Sequence, residues 1–214
     1  MTATPGLGAA GTVSVDFDAV VATGSPQLLS RLVPQLPVGY LSQIRKLDSL
    51  GAVVMTLALR RPLTRGVYWM NMPKDEFPFL ALVEHTNMVD PKHYGGDHLV
   101  YCGDYLEPTH EYFHLSQGEL LERFLPALKK VNPGFDPSWV RAAWLHRETY
   151  AQPIVPVNHS RNVPDLATPL AGLFWASMSQ VYPWDRGTNF AVEIGLRVAR
   201  EVSDCTLKPK LHRG

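Results

Sequence analysis

The sequence has few cysteines and no long apolar run, and both absences limit what the protein can be. Cys102 and Cys205 are its only cysteines and lie far apart, so they provide no disulfide framework. This fits a reducing compartment, and we expect a cytoplasmic protein. A membrane-spanning helix needs about eighteen consecutive apolar residues, and no such run occurs. The first residues also lack the basic and apolar regions of a secretion signal.

The charge balance and the missing motifs exclude further classes of function. Twenty basic and twenty acidic residues cancel, and no basic cluster is interleaved with aromatic residues. We therefore expect no nucleic-acid partner and no attraction to an anionic membrane. A serine nucleophile elbow, a P-loop lysine motif and a paired-cysteine zinc spacing are also missing. The eighteen prolines and sixteen glycines instead predict many short elements joined by turns.

The middle of the chain has the period of β-strands. From Val53 to Leu59, large apolar residues alternate with smaller or more polar ones, which predicts a strand with one buried face. Polar turns separate this strand from further candidates, at 67–72, 79–86, 98–105 and 140–146. Successive strands with short links predict an antiparallel sheet.

One helix interrupts these strands. Ser116 and Glu119 have the spacing of a capping box, which predicts a helix beginning at this point. Its apolar face is formed by Leu120, Leu121, Phe124, Leu125, Leu128 and Val131. Pro126 is expected to kink the helix, and the stretch 132–134 (Asn-Pro-Gly) is expected to end it.

The segment from Gly172 to Val202 predicts a strand, a loop over 177–185 and a helix. Apolar residues at every fourth position form one face of that helix: Phe190, Ile194, Val198 and Val202. Ala191, Gly195 and Ala199 form a neighbouring row of small side chains, which we expect to pack closely onto a sheet.

The stretch 187–189 (Gly-Thr-Asn) lies where this helix begins. Backbone N–H groups at a helix start have no acceptor within the helix, and the helix dipole is positive there. Such an end suits an anion or a carbonyl oxygen.

The first residues contain a weak nucleotide-binding pattern. Residues 6–11 (Gly-Leu-Gly-Ala-Ala-Gly) match G-x-G-x-x-G, but that motif needs a strand before it and a helix after it. Only five residues precede it and 12–15 reads as a strand, so a flexible leader is favoured. A short buried strand is predicted at 18–23, followed by a turn at 24–26 and a helix through Leu32.

Three segments together resemble the FAD-dependent amine oxidase and protoporphyrinogen oxidase-like flavoproteins. The stretches 172–176 (Gly-Leu-Phe-Trp-Ala) and 182–187 (Tyr-Pro-Trp-Asp-Arg-Gly), with the small-residue helix after them, resemble the family's flavin-contacting segment. The stretch 18–23 (Asp-Ala-Val-Val-Ala-Thr) is similar to the strand that returns the chain to the FAD domain. In one departure, the family's Gly-acid pair after the strand, which holds the ribityl chain, is replaced by Ala176 and Ser177.

The resemblance implies an α+β fold. An antiparallel substrate-domain sheet with helices would be flanked by remnant strands and the C-terminal helix of an FAD-binding α/β domain. The expected divisions are a leader (1–12), a return strand and helix (13–38), a substrate-binding-like domain (39–164), a strand–loop–helix (165–203) and a tail (204–214).

The family half that carries the G-x-G-x-x-G loop is missing. We therefore expect a truncated or split enzyme that holds FAD weakly or not at all alone. It would associate with itself or with a companion chain.

The resemblance implies an FAD-dependent oxidoreductase that acts on a small organic substrate. We assign no catalytic residue. Cofactor contacts are expected from Ser177, Met178, Asp185, Arg186, Gly187, Thr188 and Asn189. A substrate cavity would be lined by Tyr150, Gln152, Tyr182 and Trp184.

Two other functions remain open. The first is a non-catalytic binding or interaction module derived from the same fold. The second is a zinc hydrolase, because His110, Glu111 and His114 match H-E-x-x-H, in which an α-helix would bring both histidines to one metal. A third ligand would have to come from His146 or Glu148. The short distance between Pro108 and Ser116 favours a polar loop, so no metal is assigned.

Overall fold

The computed structural model describes residues 2–3 and 14–207 of the chain. It forms two compact units, the first comprising Met1–Asp48 with Pro153–Gly214 and the second Ser49–Gln152. The expected middle domain, 39–164, is therefore longer than the second unit at both ends. The second unit begins later than residue 39 because Leu41 and Ile44 are buried against Leu29 and Trp175, which lie in the first unit.

Short strands and α-helices are interspersed along the described residues. In chain order, the strands are β1 (Thr2–Ala3), β2 (Val15–Asp16), β3 (Val20–Ala22), β4 (Ser49–Leu59), β5 (Trp69–Asn71), β6 (Ala81–Glu84), β7 (His98–Leu106), β8 (Val140–Pro153) and β9 (Leu173–Trp175). The α-helices are α1 (Pro26–Leu32), α2 (Val38–Ile44), α3 (Gln117–Val131) and α4 (Thr188–Leu207). Strand β1 pairs antiparallel with β2.

The second unit is a five-stranded sheet in the order β5-β6-β7-β4-β8. Strand β7 pairs antiparallel with both β4 and β6, and β5 pairs antiparallel with β6. The antiparallel sheet expected from the sequence is therefore confirmed. Its strands differ in length from the prediction, and β8 continues to Pro153 rather than ending at His146.

One face of this sheet is covered by α3. The capping box is present, since the Ser116 hydroxyl accepts from the Glu119 N–H and the Glu119 carboxylate accepts from the Ser116 N–H. The helix buries Leu120, Phe124, Ala127 and Leu128 against every second residue of the strands, among them Val53, Met55, Leu57, Leu82, Val100 and Cys102. The alternate residues of the same strands therefore form the opposite face of the sheet.

In the first unit, β9 lies between helices on both of its faces. It pairs parallel with β3, and on its other edge the Trp175 N–H donates to the Leu166 carbonyl at 2.7 Å. Both edges of β9 are thus hydrogen-bonded. Leu173 and Trp175 pack with α1 and α2, whereas Phe174 packs with α4.

The small-residue row of α4 is not where we expected it. Ile194 and Val198 are the buried residues of this helix, packed with Phe174. Ala191, Gly195 and Ala199 are exposed, and apart from the neighbouring residues and backbone of α4 itself, no atom lies within 4 Å of where a Cβ on Gly195 would stand. The prediction that this row packs onto the sheet is wrong. The sheet contacts only the larger apolar stripe, because the bulkier side chains fill the space between helix and strand.

None of the helices within residues 14–207 is long and apolar enough to cross a membrane.

Candidate functional site

The segment that joins β9 to α4 begins with a tightly bonded turn. Ser177 is buried, and its hydroxyl accepts from the Ser179 N–H at 3.2 Å. The Gln180 side chain accepts from the Ser177 N–H at 2.8 Å and donates to the Trp175 carbonyl at 3.1 Å. Met178, half-buried, starts the turn of 3₁₀-helix over Met178–Gln180. The turn is therefore fixed by its own side chains, and the Ser177 hydroxyl caps it.

Helix α4 begins beyond this turn with its first residues exposed. The helical hydrogen-bond ladder starts where the Ala191 N–H donates to the Gly187 carbonyl at 3.0 Å. The N–H groups of Thr188 and Asn189 therefore precede the ladder and point out of the helix end. A Cβ on Gly187 would stand 2.7 Å from the Asn189 side-chain oxygen, so the Asn189 side chain would have to rotate away to admit one.

Two charged residues precede the helix. The carboxylate of Asp185 lies 3.7 Å from the Arg186 guanidinium, and it accepts from the Arg186 N–H at 2.7 Å. The Asp185 side chain is mainly exposed and that of Arg186 is partly buried, and burial lowers the pKa of Arg186. The helix start therefore carries both a positive dipole end and a nearby guanidinium.

Two aromatic residues expected in a substrate cavity lie in the same loop. Tyr182, which forms a cis peptide bond with Pro183, lies against the buried ring of His159 at 5.8 Å between centroids. The ring of Trp184 stacks on Phe190 in the first turn of α4. Both side chains keep a large exposed area, 41% for Tyr182 and 61% for Trp184.

The other two expected substrate contacts belong to the second unit. Tyr150 and Gln152 are half-buried residues of β8. Neither of them lines the cavity that this unit contains. The structure thus places the four expected substrate residues in two different units.

The second unit has a cavity that the sequence did not reveal. Its volume is about 320 Å³, and it lies on the face of the sheet opposite α3. Its wall is formed by Ala52, Val54, Tyr68, Trp69, Asn71, Leu80, Ala81, Val83, Tyr101, Gly103, Asp104 and Tyr105. Small residues form the centre and aromatic rings surround them. The period of two in Tyr101, Gly103 and Tyr105 could have indicated this second face.

A ring cluster adjoins the cavity at Tyr101. The His85 ring lies 5.8 Å from the Tyr101 ring, and its Nε2 lies 2.7 Å from the Tyr94 hydroxyl oxygen. Burial, together with Tyr94 and Tyr68, raises the pKa of Tyr101. The Tyr101 hydroxyl is therefore neutral at physiological pH and can donate a hydrogen bond.

A buried carboxylate fixes the loop that leads to the cavity rim. Glu84 at the end of β6 is fully buried and accepts from the N–H groups of Leu63 and Thr64 at 2.9 and 2.7 Å. The Thr64 hydroxyl and the Asn87 amide also donate to it. These bonds hold the loop that precedes Tyr68.

The H-E-x-x-H segment does not form a metal-binding helix. Residues Glu111–Phe113 are a single 3₁₀ turn, and His110 Nδ1 accepts from the Tyr112 N–H at 3.2 Å. Glu111 is paired with Arg123 on α3. No group of three histidine, cysteine, aspartate or glutamate side chains among residues 14–207 could hold a metal ion. His110 and Glu111 are therefore used in structural contacts.

Within the described residues, the first unit offers hydrogen-bond donors suited to one part of a flavin, its ring edge. The N–H groups at the start of α4 are donors of the kind that the N1–C2=O edge of an isoalloxazine ring accepts. A complete site also needs a strand–glycine loop–helix for the pyrophosphate. The G-x-G-x-x-G match at 6–11 lies outside the described residues.

Solved structures with the same fold are oxidoreductases and a mutase. A protein named as a protoporphyrinogen oxidase, from Exiguobacterium sp. 255-15, has a TM-score of 0.63 and 14% identity, covering 91% of this chain and 42% of that one. An oxidoreductase from Methanosarcina mazei has a TM-score of 0.62 and 21% identity, covering 88% and 44%. A reduced UDP-galactopyranose mutase has a TM-score of 0.55 and 14% identity, covering 71% and 33%.

The chain shares the α+β fold of these solved structures and spans less than half the length of each of them. The chain belongs to the flavin-containing amine oxidoreductase family, whose model matches residues 6–203. No curated protein matches the sequence significantly.

Proposed function

We propose that the chain is the C-terminal half of an FAD-dependent oxidoreductase that oxidises a small organic substrate. The observation that supports this most directly is that β9 leads through the segment 176–187 to the exposed start of α4, a helix of 20 residues. FAD, when bound, would accept a hydride equivalent from the substrate. The residues of this chain would orient the ring and stabilise the negative charge that it gains.

In this proposal the cofactor contacts are made at the beginning of α4. The N–H groups of Thr188 and Asn189 would donate to the N1–C2=O edge of the ring, and Gly187 allows the ring to approach them. Arg186 and Asp185 would lie beside that edge. Ser177 and Met178 would contact the cofactor through backbone atoms that the turn holds in place. The Ser177 hydroxyl is not available for this contact, because it is engaged in the turn.

The substrate would lie beside the flavin ring. Tyr182 and Trp184 remain proposed contacts from the first unit, and Tyr150 and Gln152 from the second. No catalytic residue is assigned.

An exposed helix face supports a companion chain. On α4, Val192 is 57% exposed and Leu196 is 55% exposed, beside the exposed row of Ala191, Gly195 and Ala199. A contiguous apolar face of this kind indicates an interaction surface. The proposed occupant is a polypeptide that supplies the strand–glycine loop–helix for the FAD pyrophosphate. In its absence we propose that the chain holds FAD weakly or not at all.

The test measures flavin binding by the purified chain, alone and with a nucleotide-binding polypeptide encoded beside it. Equilibrium dialysis should detect weak or no FAD retention by the chain alone and stoichiometric retention by the complex. Leu196→Glu should abolish the complex, whereas Arg197→Glu, at an exposed position on the opposite side of the same helix, should not. A complex that retains no flavin would overturn the proposal.

A non-catalytic binding module is the second candidate. It is favoured by the cavity, whose wall belongs wholly to the second unit and includes no residue of the flavin segment. Ligand binding that is identical with and without flavin, in a chain that never supports substrate oxidation, would favour this module. A cytoplasmic location is part of either proposal, and the free thiols of Cys102 and Cys205 support it.

A further inference from the structure

The composition of the cavity wall indicates what kind of molecule it binds. Four aromatic side chains surround the cavity: Tyr68, Trp69, Tyr101 and Tyr105. Aromatic rings bind flat apolar molecules by stacking and edge-to-face contact. A wall of this kind therefore favours a ligand that contains a ring or a conjugated system.

The centre of the wall lets a flat molecule approach the sheet. Gly103 on β7 pairs with Val54 on β4 and with Ala81 on β6, and all three side-chain positions line the cavity. A Cβ on Gly103 would stand 3.3 Å from a methyl group of Val54, so the wall is already closely packed at this point. The small residues thus form a flat floor beneath the aromatic rings.

The charges of the wall exclude an anionic ligand. Within the described residues, the wall includes no lysine, arginine or histidine, so it offers no cation to a carboxylate or a phosphate. Burying an unpaired charge is costly. A nucleotide diphosphate or a polycarboxylate would therefore be poorly accommodated.

The acid of the wall does not favour a cationic ligand either. Among the described residues that line the cavity, Asp104 alone is charged, and its carboxylate lies 3.0 Å from the Lys74 ammonium. This ion pair compensates the negative charge. Burial also raises the pKa of Asp104, which is opposed by Lys74.

We propose that this cavity binds an uncharged, flat, ring-containing organic molecule, and that this molecule belongs to the class of substrate that the enzyme oxidises. The second part rests on the proposed function, because only a flavin-bearing complex would oxidise the ligand. The volume of about 320 Å³ limits the bound portion to a molecule of one or two rings.

The experiment compares three probes of one shape and different charge by isothermal titration calorimetry of the full chain. These are 1-naphthylmethanol, 1-naphthylmethylammonium and 1-naphthoate, measured at pH 7. The neutral probe should bind at least tenfold more tightly than the anion and at least threefold more tightly than the cation. Tighter binding of either ion, or no binding of any probe, would overturn the inference.

A pair of matched variants locates the binding. Ala81→Leu adds three carbons inside the cavity and should weaken naphthylmethanol binding at least tenfold. Ala171→Leu makes the same change at an exposed position of the first unit and should leave naphthylmethanol binding unchanged. Equal affinities for the two variants would place the probe elsewhere and overturn the assignment.

The outcomes also separate this inference from the proposed function. Flavin retention by the complex, together with no probe binding, would overturn only the inference about the class of substrate. Probe binding by a chain whose complex never retains flavin would overturn only the oxidoreductase proposal. The cavity would then remain a binding site for uncharged ring compounds.

Discussion

The indole ring of Trp184 lies nearly parallel to the phenyl ring of Phe190, with 5° between the ring planes and 6.1 Å between the centroids. Trp184 belongs to the loop before α4, and Phe190 belongs to the first turn of that helix. The stretch 185–189, which carries the proposed flavin contacts, lies between them. The stack therefore restrains both ends of this stretch.

Removing the stack should loosen the loop. Trp184→Ala is expected to remove about 0.5–1.5 kcal/mol of aromatic pairing, so the Ala191 amide, which forms the first hydrogen bond of α4, should exchange hydrogen faster. The amide of the buried Val198, later in α4, should exchange at its original rate. Trp184→Phe keeps a ring and should behave nearly as the wild type. Unchanged exchange in Trp184→Ala would show that the stack does not restrain the loop.

Glu84 gives a prediction for the stability of the second unit. Its carboxylate accepts from four donors on Leu63, Thr64 and Asn87. Glu84→Gln would place an N–H₂ group against these donors, at a cost of about 1–3 kcal/mol. The urea midpoint of the second unit should therefore fall. Glu107→Gln, the same change at an exposed residue, is the control, and equal midpoints for the two variants would contradict the prediction.

Asp104 gives a prediction about pH. Burial raises its pKa above the ordinary value, so above that value the folded state binds more protons than the unfolded state. Its ionisation therefore lowers stability as the pH rises. Asp104→Asn should raise the urea midpoint at pH 7, and the gain should shrink as the pH falls towards the ordinary carboxyl pKa. A lower midpoint at pH 7 would mean that the ion pair with Lys74 outweighs burial.

Local patterns predicted the elements whose signals are contained in a few neighbouring residues. The capping box of Ser116 and Glu119 located α3, and the alternation from Val53 to Leu59 located β4. The strand–loop–helix order after Gly172 is also present. In each of these, the side chains that fix the element lie within the element itself.

Features that depend on distant residues were missed. Helix α2 begins after Pro37 and includes Gly39, which weaken its local signal. It is stabilised by burial of Leu41 and Ile44 near Trp175, more than a hundred residues away. The cavity was missed for the same reason, because strand pairing joins Val54, Ala81 and Gly103 into one floor.

The exposed row of α4 shows a different limit. Small residues at every fourth position predict close packing, but they do not identify the partner. In this chain Ala191, Gly195 and Ala199 are exposed, because Ile194 and Val198 form the helix face that packs against Phe174 of β9. The pattern is explained if a companion chain covers the row.

The most direct test of the central claim removes one N–H group at the start of α4. Proline suits the first helical position and lacks an N–H, so Thr188→Pro should keep the helix, whereas Thr188→Ala keeps both the helix and the N–H group. Equilibrium dialysis measures FAD affinity in the complex with the nucleotide-binding companion. A lost hydrogen bond to the neutral C2=O edge of oxidised FAD should weaken binding by roughly two- to tenfold in Thr188→Pro, with no change in Thr188→Ala. Equal affinities in the two variants, with equal helix content by circular dichroism, would contradict a flavin at this helix start.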